Sequence, residues 1–223
     1  MCLIAHSLPV EAMVARKAGL RVGFQLPLRL GVGILYGILL LFFYRVNHIF
    51  QEPAKIIVPI SIPEPSLVNW TISQIKNFAS IFLIILGVMT LLRVLEILGI
   101  ISFLVKIMDP FLRLIGIGEG AVPITMVGIL LGLSYGGGLI IQEAKSGKIP
   151  PLDMFFSLSL MSILHSIIED TFTMALFGAE LLGLFWGRLL FSFIVIFILM
   201  KIIRRIPEKA FQRYFYAPVY ISE

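Results

Sequence analysis

The feature that most constrains this chain is a polar string inside apolar sequence: His165-Ser166-Ile167-Ile168-Glu169-Asp170 lies within the hydrophobic run from Met154 to Ala179. That run is long enough to cross a bilayer, which takes about 20 mostly apolar residues as helix. Two acids and a histidine at that depth are costly and point to a pathway, a relay or a ligand site. The rest of the composition agrees with a membrane setting. Of 223 residues, 59% are hydrophobic and 14% charged, and the mean hydropathy is +1.01. A soluble domain of this size carries far more charge. The chain therefore reads as an all-α, polytopic helical membrane protein with a lipid bilayer around it.

Taken in order, residues 1–18 form a short apolar segment with His6, Ser7 and Glu11, followed by a basic loop with Arg16, Lys17 and Arg21. Spans are expected over 26–47, 77–98, 152–177 and 181–203. The stretch 48–73 is polar and carries Pro53, Pro59, Pro63 and Pro65, which forbid a continuous helix. Residues 99–117, broken by Lys106, Asp109-Pro110 and Arg113, read as a helix lying at the interface and ended by Gly116 and Gly118. Residues 121–143 hold Gly128, Gly132 and then Ser134-Tyr135-Gly136-Gly137-Gly138, where three successive glycines should interrupt a helix. Gln142 and Glu143 read as interfacial. The net charge of +5 clusters in loops and the tail (Lys201, Arg204, Arg205, Lys209, Arg213). This is a positive-inside pattern, not a nucleic-acid surface. The single cysteine, Cys2, rules out an internal disulfide or a cysteine-cluster metal site. The nine methionines are scattered and read as packing. The N-terminus has no basic n-region before an apolar core and does not read as a cleavable signal.

A shift of 159 residues aligns His6-Ser7 with His165-Ser166, Glu11 with Asp170, Gly19 with Gly178 and Arg29 with Arg188, without a gap. Five matches on one register read as an internal repeat. The loop after the first motif is basic, while the matching loop carries only Glu180, so positive-inside logic places them on opposite sides. The copies are then inverted, an arrangement that puts transporter sites near the midplane. Topology closes if 121–143 enters and returns on the cytoplasmic side as a re-entrant hairpin, which leaves Lys145 and Lys148 inside. The expected organisation is 1–47 as the second half of a first repeat, 48–76 as an extramembrane loop, 77–203 as a complete second repeat and 204–223 as a basic cytoplasmic tail. The counterpart of Phe78 in copy one would fall before Met1. Copy one is thus expected to lack its first half, through truncation or because a partner supplies it.

Residues four apart on a helix share a face. That pairs Ser7 with Glu11, Ser166 with Asp170 and His165 with Glu169, and Thr173 continues the Glu169 line. A hydroxyl beside a carboxylate suits a polyhydroxylated solute or a cation, while the bland reading is that these groups knit the two copies together. Pro9 is expected to free a backbone carbonyl. Ser134 and Gly136, Gly137 and Gly138 offer backbone amides to a ligand, or else close helix packing. Arg29 and Arg188 sit near span starts, where snorkelling is the expectation and pairing with a motif acid the alternative. No Ser-His-Asp set, phosphate loop or HExxH spacing is present, so the chain reads as non-enzymatic, without a cofactor and without a metal-binding signature.

The run Gly132-Leu133-Ser134-Tyr135-Gly136-Gly137-Gly138, with His165-Ser166 and Glu169-Asp170, resembles the nucleoside-recognition (Gate) domain family, and His6-Ser7-Leu8-Pro9-Val10-Glu11 is similar to its other half. The resemblance covers 1–47 and 74–203. Gate domains occur in concentrative nucleoside transporters, ferrous-iron transporters, spore-maturation proteins and stand-alone proteins, and this chain is most similar to the last group. It departs from the iron transporters: no GTP-binding domain is expected ahead of it, and no cysteine sits in its later spans. The resemblance implies an inner-membrane transporter or transporter subunit. Its solute would be small and polar, a nucleoside by the family's name, with a coupling cation and a homo-oligomer or partner subunit, and no nucleic acid. The alternative is a membrane assembly factor whose motifs are structural. The expected solute contacts are His165, Ser166, Glu169 and Asp170, with His6, Ser7 and Glu11 opposite.

Overall fold

The computed structural model describes residues 3–50, 52 and 66–219. Cys2 and the loop prolines lie outside the described residues. The elements are helical throughout: α1 (Leu8–Lys17), α2 (Val22–Val46), α3 (Leu67–Ile97), α4 (Ile100–Leu114), α5 (Val122–Ser146), α6 (Pro151–Ile163), α7 (Ile167–Leu176), a π-helical stretch (Leu182–Gly187) leading into α8 (Arg188–Ile203), and α9 (Glu208–Tyr214). Among the described residues, four segments are long and apolar enough to cross a membrane: Val22–Val46, Leu67–Ile97, Pro151–Leu176 and Leu182–Ile203. The chain is a polytopic α-helical membrane protein.

Helix α6 is the hub. Every side chain from Met154 to Ile163 is buried, which is the pattern of a helix enclosed on all sides. Around it pack α5, α8 and α2. The outer helices carry apolar residues outward, such as Phe42, Phe78, Phe82, Leu190 and Ile198. Such a surface is stable facing lipid tails and costly facing water. Helix α4 is two-sided. Leu112 is buried and Leu104 and Met108 pack on the core, while Asp109 and Arg113 pair on the outer face at 2.9 Å. It ends where Gly116 turns left-handed, the end expected from the sequence.

The break in α5 differs from the expectation at the triple glycine. Gly136, Gly137 and Gly138 are helical, and the interruption falls at Gly132 (φ 83°, ψ 166°). Sequence propensity weakens a helix at each glycine, but only Gly132 takes a backbone conformation that L side chains rarely adopt. The chain doubles back there. A Cβ on Gly136 would lie 2.9 Å from Val127 Cγ1 and 3.9 Å from Val127 O, whereas nine residues of straight helix would separate them by about 13.5 Å. The two arms, 122–131 and 133–146, are each too short to span about 30 Å of hydrocarbon. The re-entrant hairpin expected over 121–143 is therefore present, with its tip at Gly132. Gly136 lets the arms approach, and Gly137 admits Val14 of α1.

The basic loop and the basic tail meet. The Arg21 N–H donates to Phe215 O at 2.9 Å, the Ala217 N–H donates to Gly19 O at 2.9 Å, and the Arg21 Nη2 donates to Gln212 O at 3.1 Å. The tail is thus docked, with Phe211 buried. Just past the middle of α2, Tyr36 stacks on Phe191, with ring centroids 4.9 Å apart, and its hydroxyl donates to Gly183 O at 2.5 Å. The start of α2 lies near the chain beyond α8, and its far half lies near the start of α8. These two helices, equivalent under the 159-residue shift, run antiparallel.

Candidate functional site

The hydrophobic run 151–176 is not one helix. Helix α6 ends at Ile163, and α7 begins at Ile167 after Ser166 in a left-handed conformation (φ 46°, ψ 37°). In copy one, α1 begins after Ser7 with nearly the same backbone (φ 48°, ψ 26°). Left-handed serines are uncommon and strained by about 1–3 kcal/mol each. Their recurrence at positions 159 apart is a structural property that composition does not reveal. Pro9 sits in the first turn of α1, where its missing N–H would have had no helical partner anyway. It starts a helix and frees no carbonyl within one, contrary to the expectation.

A break in a membrane helix leaves carbonyl groups without partners, and these must be satisfied internally. Arg188 does this. Its Nε donates to Ile163 O at 3.2 Å, its Nη2 to His165 O at 2.9 Å and its Nη1 to the Asp170 carboxylate at 2.9 Å. Arg29 makes the same three contacts 159 residues earlier: Nε to Ile4 O at 2.9 Å, Nη2 to His6 O at 2.8 Å, and an ion pair from Nη1 to Glu11 at 2.5 Å. Both arginines are inaccessible, at 0% and 1% exposure, so the expectation of snorkelling is wrong for both. Snorkelling and burial use the same residue at the same sequence distance from a span end. What distinguishes them is the carbonyl cluster at a break that the sequence does not announce.

The two clamps meet through the histidines. His165 Nε2 and His6 Nε2 are 3.0 Å apart. His165 Nε2 lies 3.4 Å from Glu11 Oε1, and His6 Nε2 lies 3.4 Å from Asp170 Oδ2. Each histidine thus faces the acid of the other copy. Reciprocal contacts of this kind mark a two-fold relation, here between two halves of one chain. His165 is fully buried and Glu11 nearly so, while the His6 side chain is 37% exposed. The cluster is closed on one side and open at His6.

The other expected residues fall elsewhere. Glu169 is half-buried on α7, and the break at 164–166 removes the helical face it was to share with His165. Among the described residues its carboxylate makes no hydrogen bond or ion pair, but it lies within electrostatic reach of Asp170 and His6. Thr173 is half-buried further along α7, outside the cluster. Ser7 is exposed while Glu11 is buried, so the two do not form one contact face, and Ser7 Oγ is 3.3 Å from His6 Nδ1. Ser166 is buried under Gly132, and its carbonyl accepts the Asp170 N–H at 2.8 Å. Ser134 is exposed on the second arm of α5. Gly136 and Gly137 serve close packing, Gly138 faces open space, and their amides belong to the helical ladder. Gly136, Gly137 and Gly138 therefore present no backbone cradle to a ligand.

Fold and site together define a polytopic membrane protein in which the start of α1 and the break between α6 and α7 are reciprocally clamped. No family model and no solved structure matches the chain. It is similar to the uncharacterized membrane protein YvoD of Bacillus subtilis (strain 168), with 23% identity over 174 residues, which are 77% of this chain and 56% of that protein. The chain spans little more than half the length of that relative.

Proposed function

We propose that this chain is a membrane transporter, or the membrane subunit of one, of the Gate-domain kind, residing in the cytoplasmic membrane. A small polar solute or coupling ion would pass between the His6-Ser7 and His165-Ser166 motifs. The observation that carries this reading is the reciprocal cluster of His6, Glu11, His165 and Asp170, where the start of α1 meets the break between α6 and α7. Ionisable groups within membrane helices are expensive and by default mark pathways. Broken helices from inverted halves are where transporters place their sites. The strained serines and the re-entrant α5 lying over one of them support it further. A nucleoside as solute rests on the Gate resemblance alone.

A scaffold reading has its own observation. Each arginine spends its bonds on carbonyls and the acid of its own copy, which also suits a rigid assembly factor. Uptake separates the two. The full chain in proteoliposomes should accumulate at least one of a panel of labelled nucleosides, nucleobases and divalent cations above protein-free vesicles. His6→Gln, at the open rim of the cluster, should reduce that uptake steeply without changing thermal stability. Wild-type vesicles that accumulate no member of the panel would sink the transporter reading in favour of the scaffold.

A further inference from the structure

We infer that His6, His165 and Asp170, with Glu11 beside them, form a binding site for a divalent first-row transition-metal ion. The inference rests on the transport reading in one respect: it names the occupant of that same site. Three features of the geometry carry it.

The first is ligand spacing. One ligand atom from each of His6, His165 and Asp170 lies within 4.8 Å of the others. The closest pairs, including Glu11, are 3.0, 3.4 and 3.4 Å apart. Tetrahedral coordination with metal–ligand bonds of about 2.0–2.1 Å requires ligands about 3.3 Å from one another. The closest pairs match a coordination shell, while the widest of the three, up to 4.8 Å apart, draws in by side-chain movement when one ion takes all three. The second is the tautomer at His165. Its Nδ1–H donates to Met161 O at 3.2 Å, which leaves Nε2 as a lone pair facing the cluster. Metal-binding histidines are oriented in this way by an outer-shell carbonyl or carboxylate. The third is the outer shell of the acids. Arg188 holds Asp170 and Arg29 holds Glu11, so both carboxylates are oriented before an ion arrives.

Imidazole with carboxylate suits zinc, iron, nickel or manganese, whereas magnesium and calcium take oxygen shells. Because each acid is already paired with an arginine, the site holds its ion reversibly, as a conducting or transporting site must. The half-exposed His6 is the side from which an ion enters, and the buried His165 forms the floor.

The test uses the full chain in detergent, with any affinity tag removed and after chelator treatment, titrated with Co2+ and followed by its visible absorption. One Co2+ per chain is expected, with the bands of a nitrogen- and oxygen-ligated ion, displaced by Zn2+ and not by Mg2+. His6→Gln should weaken binding about tenfold or more, and His165→Gln should abolish it, while His48→Gln, at the chain's third histidine, leaves it unchanged. Because His6 is at the rim, His6→Gln should elute as wild type on size exclusion, which guards against a folding artefact. Absence of Co2+ bands in the wild type overturns the assignment, as does binding that persists equally in His6→Gln and His165→Gln. Protein that carries a solute in vesicles yet binds no Co2+ overturns the metal site alone. Protein that binds Co2+ at these residues but carries nothing overturns the transport reading alone.

Discussion

Arg188→Ala is expected to destabilise the folded protein by about 3–5 kcal/mol, the range for removing one partner of a buried ion pair. Three acceptors lose their donor at once: Ile163 O, His165 O and the Asp170 carboxylate. The two carbonyls lie in buried surroundings, with Arg188 and Ile163 inaccessible, while the Asp170 side chain keeps 12% exposure. The loss therefore includes the desolvation penalty of the groups left behind. A second substitution separates the parts. Asp170→Asn in the Arg188→Ala background removes the stranded charge and should recover part of the loss, while the two carbonyls remain orphaned. Arg188→Lys should recover little, since one ammonium cannot reach three acceptors in the planar pattern of a guanidinium. Thermal unfolding in detergent, with the double-mutant cycle, measures each term. A loss below about 1 kcal/mol for Arg188→Ala would mean that the clamp is solvated, against the burial described above.

Gly132→Ala should be nearly as damaging, by about 2–3 kcal/mol, for two separable reasons. Its backbone (φ 83°, ψ 166°) lies in a region that is almost confined to glycine. A Cβ there would also overlap Ser166 Oγ. Ser166→Ala removes the overlapping oxygen and should return the steric part, but it cannot relieve the backbone. Gly138→Ala supplies the contrast. Nothing lies within 4 Å of a Cβ there and its φ is ordinary, so the substitution should be neutral or stabilising by about 0.5–1 kcal/mol. Equal effects at both glycines would show that the hairpin does not turn at Gly132.

Much of the architecture is legible in the sequence, for reasons that can be named. Hydropathy locates four spans because lipid demands long apolar helices. The pairing of His6-Ser7 with His165-Ser166 and of Arg29 with Arg188 is readable as a register, since a repeat preserves order and spacing. The break at 164–166 is not readable. Leu-His-Ser contains neither glycine nor proline, and the left-handed turn at Ser166 is imposed by the surrounding packing. With that break hidden, the i,i+4 rule places Glu169 beside His165 and leaves the arginines at the interface, and both placements fail. The crossed pairing of each histidine with the other copy's acid is a tertiary property of the two-fold arrangement, and no local spacing encodes it. Conversely, Gly136 to Gly138 look like the stronger helix breaker by composition. A helix tolerates glycine where packing needs closeness, and it is broken where the sign of φ changes.

The two clamps meet where the start of α1 and the break between α6 and α7 bring His6 and His165 into contact. The chain has three histidines, so His48→Gln leaves only this pair. In 15N-histidine-labelled protein in lipid bilayers, a 15N–15N correlation spectrum should show a cross-peak between the two Nε2 nuclei, as a separation of 3.0 Å requires. The Nδ1–Nε2 peak within each ring is the internal control. Ring cross-peaks that build up fully with no peak between the histidines would contradict the account, because the two clamps would then not meet.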